Sequence, residues 1–289
     1  MDALKYFAPR TMEEACALLA KYKEQAKVIA GGTDLLVQIK HGEILPKYII
    51  NIRGIPKQDY IVYDDKVGLS IGALATIHSI EASSLIQEKF NILAQAASKL
   101  GTRQIRNQAT IAGNLCNASP SAELAPALIV LGAKVGILRA SRERTVLIED
   151  FFTGPGQTVL KPDEILAEIQ VPNLLPRSGG VYIKHTIRKA MDLAIVGVGV
   201  MVTMDGNILS NVRIALGAVA PAPIRARKAE GILIGRRLED DLLEKAALIA
   251  SEESSPISDV RSSADYRKKM VKVLVARAIK QAVEQVQAG

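Results

Sequence analysis

Two adjacent glycines near the N-terminus stand where a predicted strand gives way to a predicted helix. Consecutive main-chain amides without side chains can approach a diphosphate closely, and the start of a helix adds partial positive charge. The same pattern is also typical of a simple turn, and it lacks the third spaced glycine of the Rossmann fingerprint. The segment consists of Val28, Ile29, Ala30, Gly31, Gly32, Thr33, Asp34 and Leu35.

A second polar segment lies about eighty residues further along the chain. Small residues alternate with hydrogen-bonding residues over positions 106–114, and the pattern continues over positions 119–126. Donors from the backbone and side chains could line a polar ligand here, and Glu123 could accept hydrogen bonds from ribose hydroxyls. The simpler alternative is a packed structural loop in which Glu123 is an acidic residue at the start of a helix.

The cysteine and histidine content argues against a metal site. Cys16 and Cys116 are far apart in sequence, and the three histidines are scattered. This spacing fits neither a disulfide framework nor a zinc or iron–sulfur site. We interpret both thiols as small hydrophobic side chains.

The charge and hydropathy of the chain exclude other classes. The net charge is +7, but aromatic residues make up 4% and tryptophan is absent, which leaves little for stacking on nucleic-acid bases. No apolar run reaches the roughly 18 residues of a membrane-spanning helix. The N-terminus also lacks the pattern of a secretory signal. We therefore expect a cytoplasmic chain that binds no nucleic acid and has no membrane span.

Local patterns predict the elements that position the glycine pair. A capping box of Thr11 and Glu14 starts an amphipathic helix that ends at Tyr22. The predicted strands and helices that follow, up to residue 100, are a strand over 27–30, a helix over 34–41, a strand over 47–52, a hairpin over 60–63 and 67–72, and helices over 77–84 and 92–100.

The second polar segment is predicted to be irregular over residues 101–121, because glycine, asparagine, serine and threonine dominate it. Gly101 fits a C-terminal helix cap. A further helix is predicted with Ser119 as its cap and Pro120 at its first position, ending before Gly132.

A boundary rich in proline, glycine and asparagine falls near residues 172–180. Three strands are predicted beyond it, over 182–187, 193–204 and 208–219, with Asp205 and Gly206 as a hairpin turn. Helices follow, the last over about 264–287. We expect an α+β protein with a first domain over residues 1–176, in two lobes, and a second over 177–289, built from a three-stranded antiparallel sheet and C-terminal helices.

Taken together, these motifs resemble the FAD-binding medium subunits of molybdenum hydroxylases, a family that includes carbon monoxide, xanthine and nicotinate dehydrogenases. The matches run in order from about residue 4 to residue 280. The matching motifs are Ala30-Gly31-Gly32-Thr33-Asp34, Ile105-Arg106-Asn107, Thr110-Ile111-Ala112-Gly113-Asn114, Ala118-Ser119-Pro120-Ser121-Ala122-Glu123, Glu164-Ile165-Leu166, the set Lys184, Arg188, Asp192 and Ala194, and Arg261-Ser262-Ser263-Ala264-Asp265-Tyr266-Arg267.

The resemblance implies a fold and a role. The first domain would be a two-lobed FAD-binding domain of the PCMH/vanillyl-alcohol-oxidase type, with FAD bound non-covalently. A large partner subunit would carry the molybdenum cofactor, and a small one would carry [2Fe-2S] clusters. This chain would pass electrons from those clusters through FAD to NAD, a quinone or another acceptor.

The resemblance also implies residue roles, with no catalytic and no metal-binding residue among them. The first glycine segment would hold the diphosphate, residues 110–114 would line the flavin and its diphosphate, and Glu123 would bind a ribose or ribityl hydroxyl. Leu100 stands where some relatives carry an aromatic residue, and Ala112-Gly113 replaces a common Gly-Gly pair. The expected cofactor-binding residues are Val28, Ile29, Ala30, Gly31, Gly32, Thr33, Asp34, Leu35, Gly101, Thr110, Ile111, Ala112, Gly113, Asn114, Glu123, Leu166 (adenine), Lys184 (polar atoms of the cofactor) and Leu193 (isoalloxazine).

Two alternatives remain open on the sequence. A free-standing FAD oxidoreductase of related fold would need its own catalytic acids or a covalent flavin link, and no clear candidate is present. A flavin-free scaffold subunit would have lost its glycines, yet Gly31, Gly32 and Gly113 are retained. A nucleic-acid role would rest on net charge alone.

Overall fold

A small parallel sheet carries the glycine pair at its edge. The computed structural model describes residues 4–140, 142–188 and 191–288; residues 1–3, on which the expected absence of a secretory signal partly depends, lie outside them. The central strand of this sheet, β3 (Tyr48–Asn51), pairs in parallel with β1 (Lys5–Phe7) on one side and with β2 (Ala26–Ile29) on the other. The elements of this first lobe are β1 (Lys5–Phe7), α1 (Met12–Tyr22), β2 (Ala26–Ile29), α2 (Leu35–Lys40) and β3 (Tyr48–Asn51).

The predicted cap of α1 is present in a modified form. The side chain of Thr11 accepts a hydrogen bond of 3.1 Å from the amide of Glu14. The carboxylate of Glu14 accepts from the amide of Arg10, at 2.7 Å, rather than from that of Thr11. The helix is thus fixed at its start, and its apolar face, including Leu19, is buried in the core.

The second lobe is a five-stranded antiparallel sheet covered by short helices. Its strand order is β4-β5-β10-β6-β7, and the predicted hairpin over residues 60–72 is confirmed as β4 and β5. The elements are β4 (Ile61–Asp64), β5 (Gly68–Gly72), α3 (Ile77–Ala82), α4 (Ser84–Lys89), α5 (Asn91–Ser98), α6 (Arg103–Gln108), α7 (Ile111–Asn117), α8 (Leu124–Leu131), β6 (Lys134–Arg139), β7 (Arg142–Leu147), β8 (Phe152–Gly154), β9 (Gln157–Thr158) and β10 (Ile165–Val171).

The prediction of an irregular segment over residues 101–121 is wrong. Two helices, α6 and α7, occupy most of it, because Thr102 and Thr110 each cap a helix by accepting from the amide three residues ahead. The start of the next helix was also placed too early. Residues 119–122 form a turn in which the carbonyl of Pro120 accepts from Ala218, and α8 begins at Leu124.

A third sheet follows the predicted boundary and holds the three expected strands. They pair antiparallel, and Gly206, with φ of +57°, forms the predicted turn between the second and third strands. A two-residue fourth strand extends the sheet. The elements are β11 (Ser178–His185), β12 (Val196–Asp205), β13 (Ile208–Gly217), β14 (Ile224–Arg225), α9 (Arg227–Leu233), α10 (Asp240–Glu253) and α11 (Ala264–Ala288).

This third sheet is covered on both faces. Val198 and Val200 of β12 pack into one apolar core with α10 and α11, whereas Met201 packs into the core of the first two lobes. Side chains alternate between the two faces of a strand, so the glycines of β12 share the face of Met201. A Cβ on Gly199 would lie 2.9 Å from the carbonyl oxygen of Pro126 in α8. Helix α8 therefore packs directly on the backbone of β12.

Among the described helices, none has the combination of length and apolar character that crossing a membrane requires.

We predict that Gly199→Ala lowers the free energy of unfolding by about 1–3 kcal/mol, because the new methyl overpacks a contact between two backbones. Gly231→Ala is the matched control: Gly231 lies in α9, and a Cβ there meets nothing within 4 Å. The control should be neutral or stabilising by up to about 1 kcal/mol. Urea unfolding of both variants checks this, and equal stabilities would contradict the close packing of α8 on β12.

Candidate functional site

A large cleft runs between the first lobe, the second lobe and residues 191–193, which precede β12. Its volume is about 1310 Å³, which exceeds the roughly 300–1,000 Å³ of most small-molecule pockets. We call it the central cleft. The residues from the sequence prediction that line it are Val28, Ile29, Ala30, Gly31, Gly32, Thr33, Asp34, Leu35, Gly101, Thr110, Ala112, Gly113, Asn114, Glu123, Leu166 and Leu193.

The two glycine-containing segments meet backbone to backbone. A Cβ on Gly31 would overlap the carbonyl oxygen of Gln108, at the end of α6. Only glycine fits such an approach without displacing one of the two chains. Gly32 has φ of +72°, a left-handed conformation that also favours glycine. Both residues are therefore required by the path of the backbone.

Side chains reinforce this junction. The amide of Asn117, at the end of α7, donates to a carboxylate oxygen of Asp34 at 3.2 Å. The amide of Gln38 in α2 donates to the side-chain oxygen of Asn117 at 3.4 Å. Asn117 thus links the start and the body of α2 to α7, and it holds the rim of the central cleft together.

The start of α7 presents polar groups to the central cleft. The side chain of Thr110 accepts from the amide of Gly113 at 3.1 Å, which fixes the first turn. A Cβ on Gly113 would meet only the Thr110 hydroxyl oxygen, at 2.9 Å, so its other side is open. The side-chain oxygen of Asn114 is buried and has no hydrogen-bond partner among the described residues. A buried polar atom of this kind needs a partner.

A buried ion pair closes one wall of the central cleft. The ammonium group of Lys184 in β11 lies 2.7 Å from a carboxylate oxygen of Glu123. It also donates to the carbonyl oxygens of Lys99, at 3.0 Å, and Asp192, at 2.7 Å. An ammonium group has three donors, and all three are used inside the chain.

Burial and charge shift the pKa values of this wall. Burial raises the pKa of Glu123, and the charge of Lys184 opposes the rise, whereas Asp34 adds to it. Burial, with the nearby carboxylate of Glu123 as a smaller cause, raises the pKa of Tyr182 well above its usual value. Burial also raises the pKa of the Cys116 thiol to about 12. The raised pKa favours the neutral thiol form of Cys116, which is half-buried and contributes to the lining of the central cleft.

A second ion pair involves another residue of the cleft lining, Glu164. Arg144 in β7 binds both oxygens of Glu164, at 2.9 and 2.7 Å, and donates to the carbonyl of Val159 at 2.9 Å. Although burial alone raises the pKa of Glu164, the hydrogen bonds from Arg144 and from the amide of Lys161 lower it overall. This bidentate contact fixes the chain just before Leu166.

A second arginine supports the segment around Gly101. Arg106 in α6 donates to the carbonyl of Leu100 at 3.0 Å and forms an ion pair of 2.7 Å with Glu81 in α3. Leu100 is almost fully buried, though it contributes to the lining of the central cleft. Gly101 has φ of +47°, as expected of a residue that follows a helix end.

Two of the expected residues lie behind the cleft surface instead of on it. Ile111, the first residue of α7, is fully buried in the core. Lys184 is covered by Glu123 and by the loop that contains Asp192. The family resemblance placed these residues near the site but could not tell the surface of the cleft from the layer below it.

Several lining residues were missed by the sequence analysis. The β8–β9 hairpin contributes Thr153, Gln157 and Thr158, and the junction residue Asn117 lies on the cleft surface. Gly154-Pro155-Gly156 is a turn signal, but a turn signal carries no information about which distant segment the turn contacts. The position of this hairpin against the central cleft depends on tertiary packing alone.

Comparisons with known proteins agree with this geometry. Residues 2–174 match the family model of the FAD binding domain in molybdopterin dehydrogenase. Residues 182–282 match the carbon monoxide dehydrogenase flavoprotein C-terminal domain. The first match alone spans more than half of the chain.

Individual relatives match over nearly the whole chain. The glyceraldehyde dehydrogenase medium chain of Sulfolobus acidocaldarius is 33% identical over 96% of this chain and 97% of its own length. The xanthine dehydrogenase FAD-binding subunit of Escherichia coli O157:H7 is 32% identical, with coverages of 98% and 97%. The structure of reconstituted CO dehydrogenase from Oligotropha carboxidovorans superposes with a TM-score of 0.94 at 30% identity, covering 98% of both chains.

The two family models match the two parts of the chain in order, and each of these relatives covers both parts. The chain belongs to the family of FAD-binding subunits of molybdopterin dehydrogenases, the oxidoreductase family that its sequence motifs resemble.

Proposed function

We propose that this chain is the FAD-carrying electron-transfer subunit of a molybdenum hydroxylase. In this proposal it receives electrons from [2Fe-2S] clusters of a small partner subunit and delivers them to NAD, a quinone or another acceptor. A large partner subunit carries the molybdenum cofactor and the substrate. The observation that carries the proposal is the meeting of the two glycine-containing segments in a cleft of about 1310 Å³.

The residues of the central cleft fit FAD. The amides of Gly31, Gly32, Thr33 and Asp34 have no hydrogen-bond acceptor among the described residues, and all four residues line the central cleft. Such a run of free amides suits a diphosphate. The buried, unpaired oxygen of Asn114 supplies an acceptor for a donor group of a ligand. The lining is otherwise mixed, with apolar side chains for flat rings and polar ones for hydroxyls.

We assign roles to the lining residues accordingly. Bound FAD supplies the ability to take up and release electrons, and the protein supplies binding and orientation. The segment from Val28 to Leu35 holds the diphosphate, and Gly101, Thr110, Ala112, Gly113 and Asn114 surround the flavin half. Glu123 accepts from a hydroxyl of the ribose or ribityl chain, Leu166 contacts the adenine, and Leu193 contacts the isoalloxazine. Ile111 supports this wall from the core.

Lys184 has a positioning role in this proposal. Its three donors are used by Lys99, Glu123 and Asp192, so it acts on the cofactor through the residues it holds. One of them, Glu123, comes from the second lobe, and another, Asp192, lies next to Leu193. Lys184 thereby fixes two parts of the central cleft with one buried charge.

The domain division and the cellular setting complete the proposal. We place the FAD-binding domain at residues 1–176 and the C-terminal domain at residues 177–289. Leu193, which contacts the isoalloxazine in this proposal, then belongs to the C-terminal domain. Cys16 and Cys116 are free thiols, which fits a reducing, cytoplasmic compartment.

We predict that Gly113→Val weakens FAD binding by at least about tenfold, or ~1.4 kcal/mol, because its side chain extends into the space proposed for the flavin. Gly231→Val is the control, since Gly231 is exposed in α9, outside the cleft lining. Titration of the flavin-free chain with FAD, followed by flavin fluorescence, measures both affinities. Unchanged affinity in a folded Gly113→Val protein would contradict the proposed position of the flavin.

We further predict that Lys184→Met destabilises the flavin-free chain by about 3–5 kcal/mol at pH 8, because it leaves the buried carboxylate of Glu123 unpaired. The loss should be smaller at pH 5. Without the ammonium, burial raises the pKa of Glu123 further above its unfolded value, so a protonated Glu123 stabilises the fold at low pH and the stabilisation disappears as the pH rises.

Lys280→Met serves as the control, since Lys280 and Asp240 form an exposed pair of 3.5 Å that contributes at most about 1 kcal/mol. Urea unfolding at the two pH values measures the differences. A Lys184→Met protein with normal stability and weaker FAD binding would instead indicate direct contact between Lys184 and the cofactor.

A further inference from the structure

The C-terminal signature motif places one arginine in the interior of the protein. Arg267 lies in the first turn of α11 and is only 3% exposed. Its guanidinium donates to the carbonyl oxygens of Ile195, at 2.7 Å, and Ala218, at 3.1 Å. It also binds a carboxylate oxygen of Asp259 at 2.8 Å. Arg267 thus connects three loops at the end of the third sheet.

The first connection leads to the loop that borders the central cleft. Ile195 lies two residues after Leu193, which lines the cleft, and one residue before β12 begins. The amide of Ile195 donates to the carbonyl of His185, at the end of β11, at 2.8 Å. Both polar groups of the Ile195 backbone are therefore fixed, one by β11 and the other by Arg267. This anchor sets where the loop carrying Leu193 ends.

The second connection crosses to the other domain. Ala218 has φ of +63°, an unusual conformation for a residue with a side chain, and its amide donates to the carbonyl of Pro120 at 2.6 Å. Pro120 lies between Ser119 and Ser121, which both line the central cleft. Arg267 holds the carbonyl of Ala218 and so stabilises the conformation that presents the amide to Pro120. Glu123 follows three residues later on the same wall.

The charge of Arg267 is only partly compensated. Asp259 is its single carboxylate partner among the described residues, and Asp259 is shared with Arg261, at 3.0 Å. The Nε atom of Arg267 is buried without a hydrogen-bond partner in the described chain. A buried charge with an unsatisfied donor is costly, and an apolar residue of similar volume would often be as stable. Arginine therefore contributes geometry here: a rigid, planar donor group that holds two carbonyls at once.

We propose that Arg267 is a positioning residue through which the C-terminal domain sets the shape of the central cleft. It holds the carbonyls of Ile195 and Ala218, and it thereby fixes two wall segments, residues 191–195 and 119–123. The inference rests on the proposed function in one respect: the walls it positions are those assigned to FAD. Its structural part, the ordering of the two segments, does not depend on the cofactor.

The test compares five full-length chains: wild type, Arg267→Met, Arg267→Lys, Asp259→Asn and Leu274→Ala. Leu274 is buried in the core of the second domain on the same helix and serves as the control for general destabilisation. Hydrogen exchange of the flavin-free chains is measured by mass spectrometry. Over residues 119–123 and 191–195, exchange in Arg267→Met should be at least about tenfold faster than in the wild type; a tenfold ratio corresponds to ~1.4 kcal/mol. In Leu274→Ala, the exchange rate of these two segments should change no more than that of other segments that are equally protected in the wild type.

FAD gives the second readout. We expect the affinity of Arg267→Met for FAD to fall by about tenfold and the visible circular dichroism of its bound flavin to differ from that of the wild type. Arg267→Lys, which keeps the charge but not the planar fork, should be intermediate in both readouts. If Arg267→Met does not fold, the two readouts of Arg267→Lys decide the question. Asp259→Asn leaves both carbonyl contacts in place and should not alter the flavin signal.

The outcomes separate the two claims. Normal exchange in both wall segments of Arg267→Lys and Arg267→Met, or the same pattern as Leu274→Ala, would overturn the positioning role. A wild-type chain that binds no FAD, alone or with its partner subunits, would overturn the proposed function, and the exchange result would still decide whether Arg267 orders the two segments.

Discussion

The close approach of Gly31 to the carbonyl of Gln108 is the constraint on which the rest of the site depends. The strand that ends before the glycine pair belongs to the first lobe, and the helix that ends at Gln108 belongs to the second. Because Gly31 has no side chain, the two backbones come into direct contact. The row of free amides then follows Gly31 in the first lobe, and the start of α7 follows Gln108 in the second. Asn117 then connects the two through Asp34 and Gln38. A methyl group at Gly31 would separate the lobes where the central cleft needs them joined.

Three cations complete the central cleft by holding other residues: Lys184 is buried, Arg106 is mostly buried, and the side chain of Arg144 is 38% exposed. Lys184 holds Glu123 and the loop beside Leu193, Arg144 holds Glu164 next to Leu166, and Arg106 holds Leu100 next to Gly101. In each case a cation fixes a carbonyl or a carboxylate from a different element. Such contacts are costly to bury and specify geometry well. This suits a subunit whose task is to hold a cofactor in one place while the chemistry belongs to the cofactor and to the partner subunits.

Much of this arrangement could be predicted from the sequence, because local signals govern it. The Thr11 cap, the hairpin at Gly206 and the order of the elements all depend on residues close together in the chain. The helices α6 and α7 were missed because their composition favours loops, although Thr102 and Thr110 are good caps. The pairing of Lys184 with Glu123 could not be predicted, since sixty residues separate them and only the folded third sheet brings them together. The hairpin at residues 152–158 was missed for the same reason.

The most direct test of the central claim is the identity and amount of chromophore in the purified chain. The visible absorption spectrum is recorded, the chromophore is released with acid, and it is identified and quantified against the protein concentration. We expect FAD, released without covalent attachment, at about one molecule per chain, as is usual for one large ligand site. A colourless chain that takes up no added FAD, even after assembly with its partner subunits, would show that the central cleft is not an FAD site.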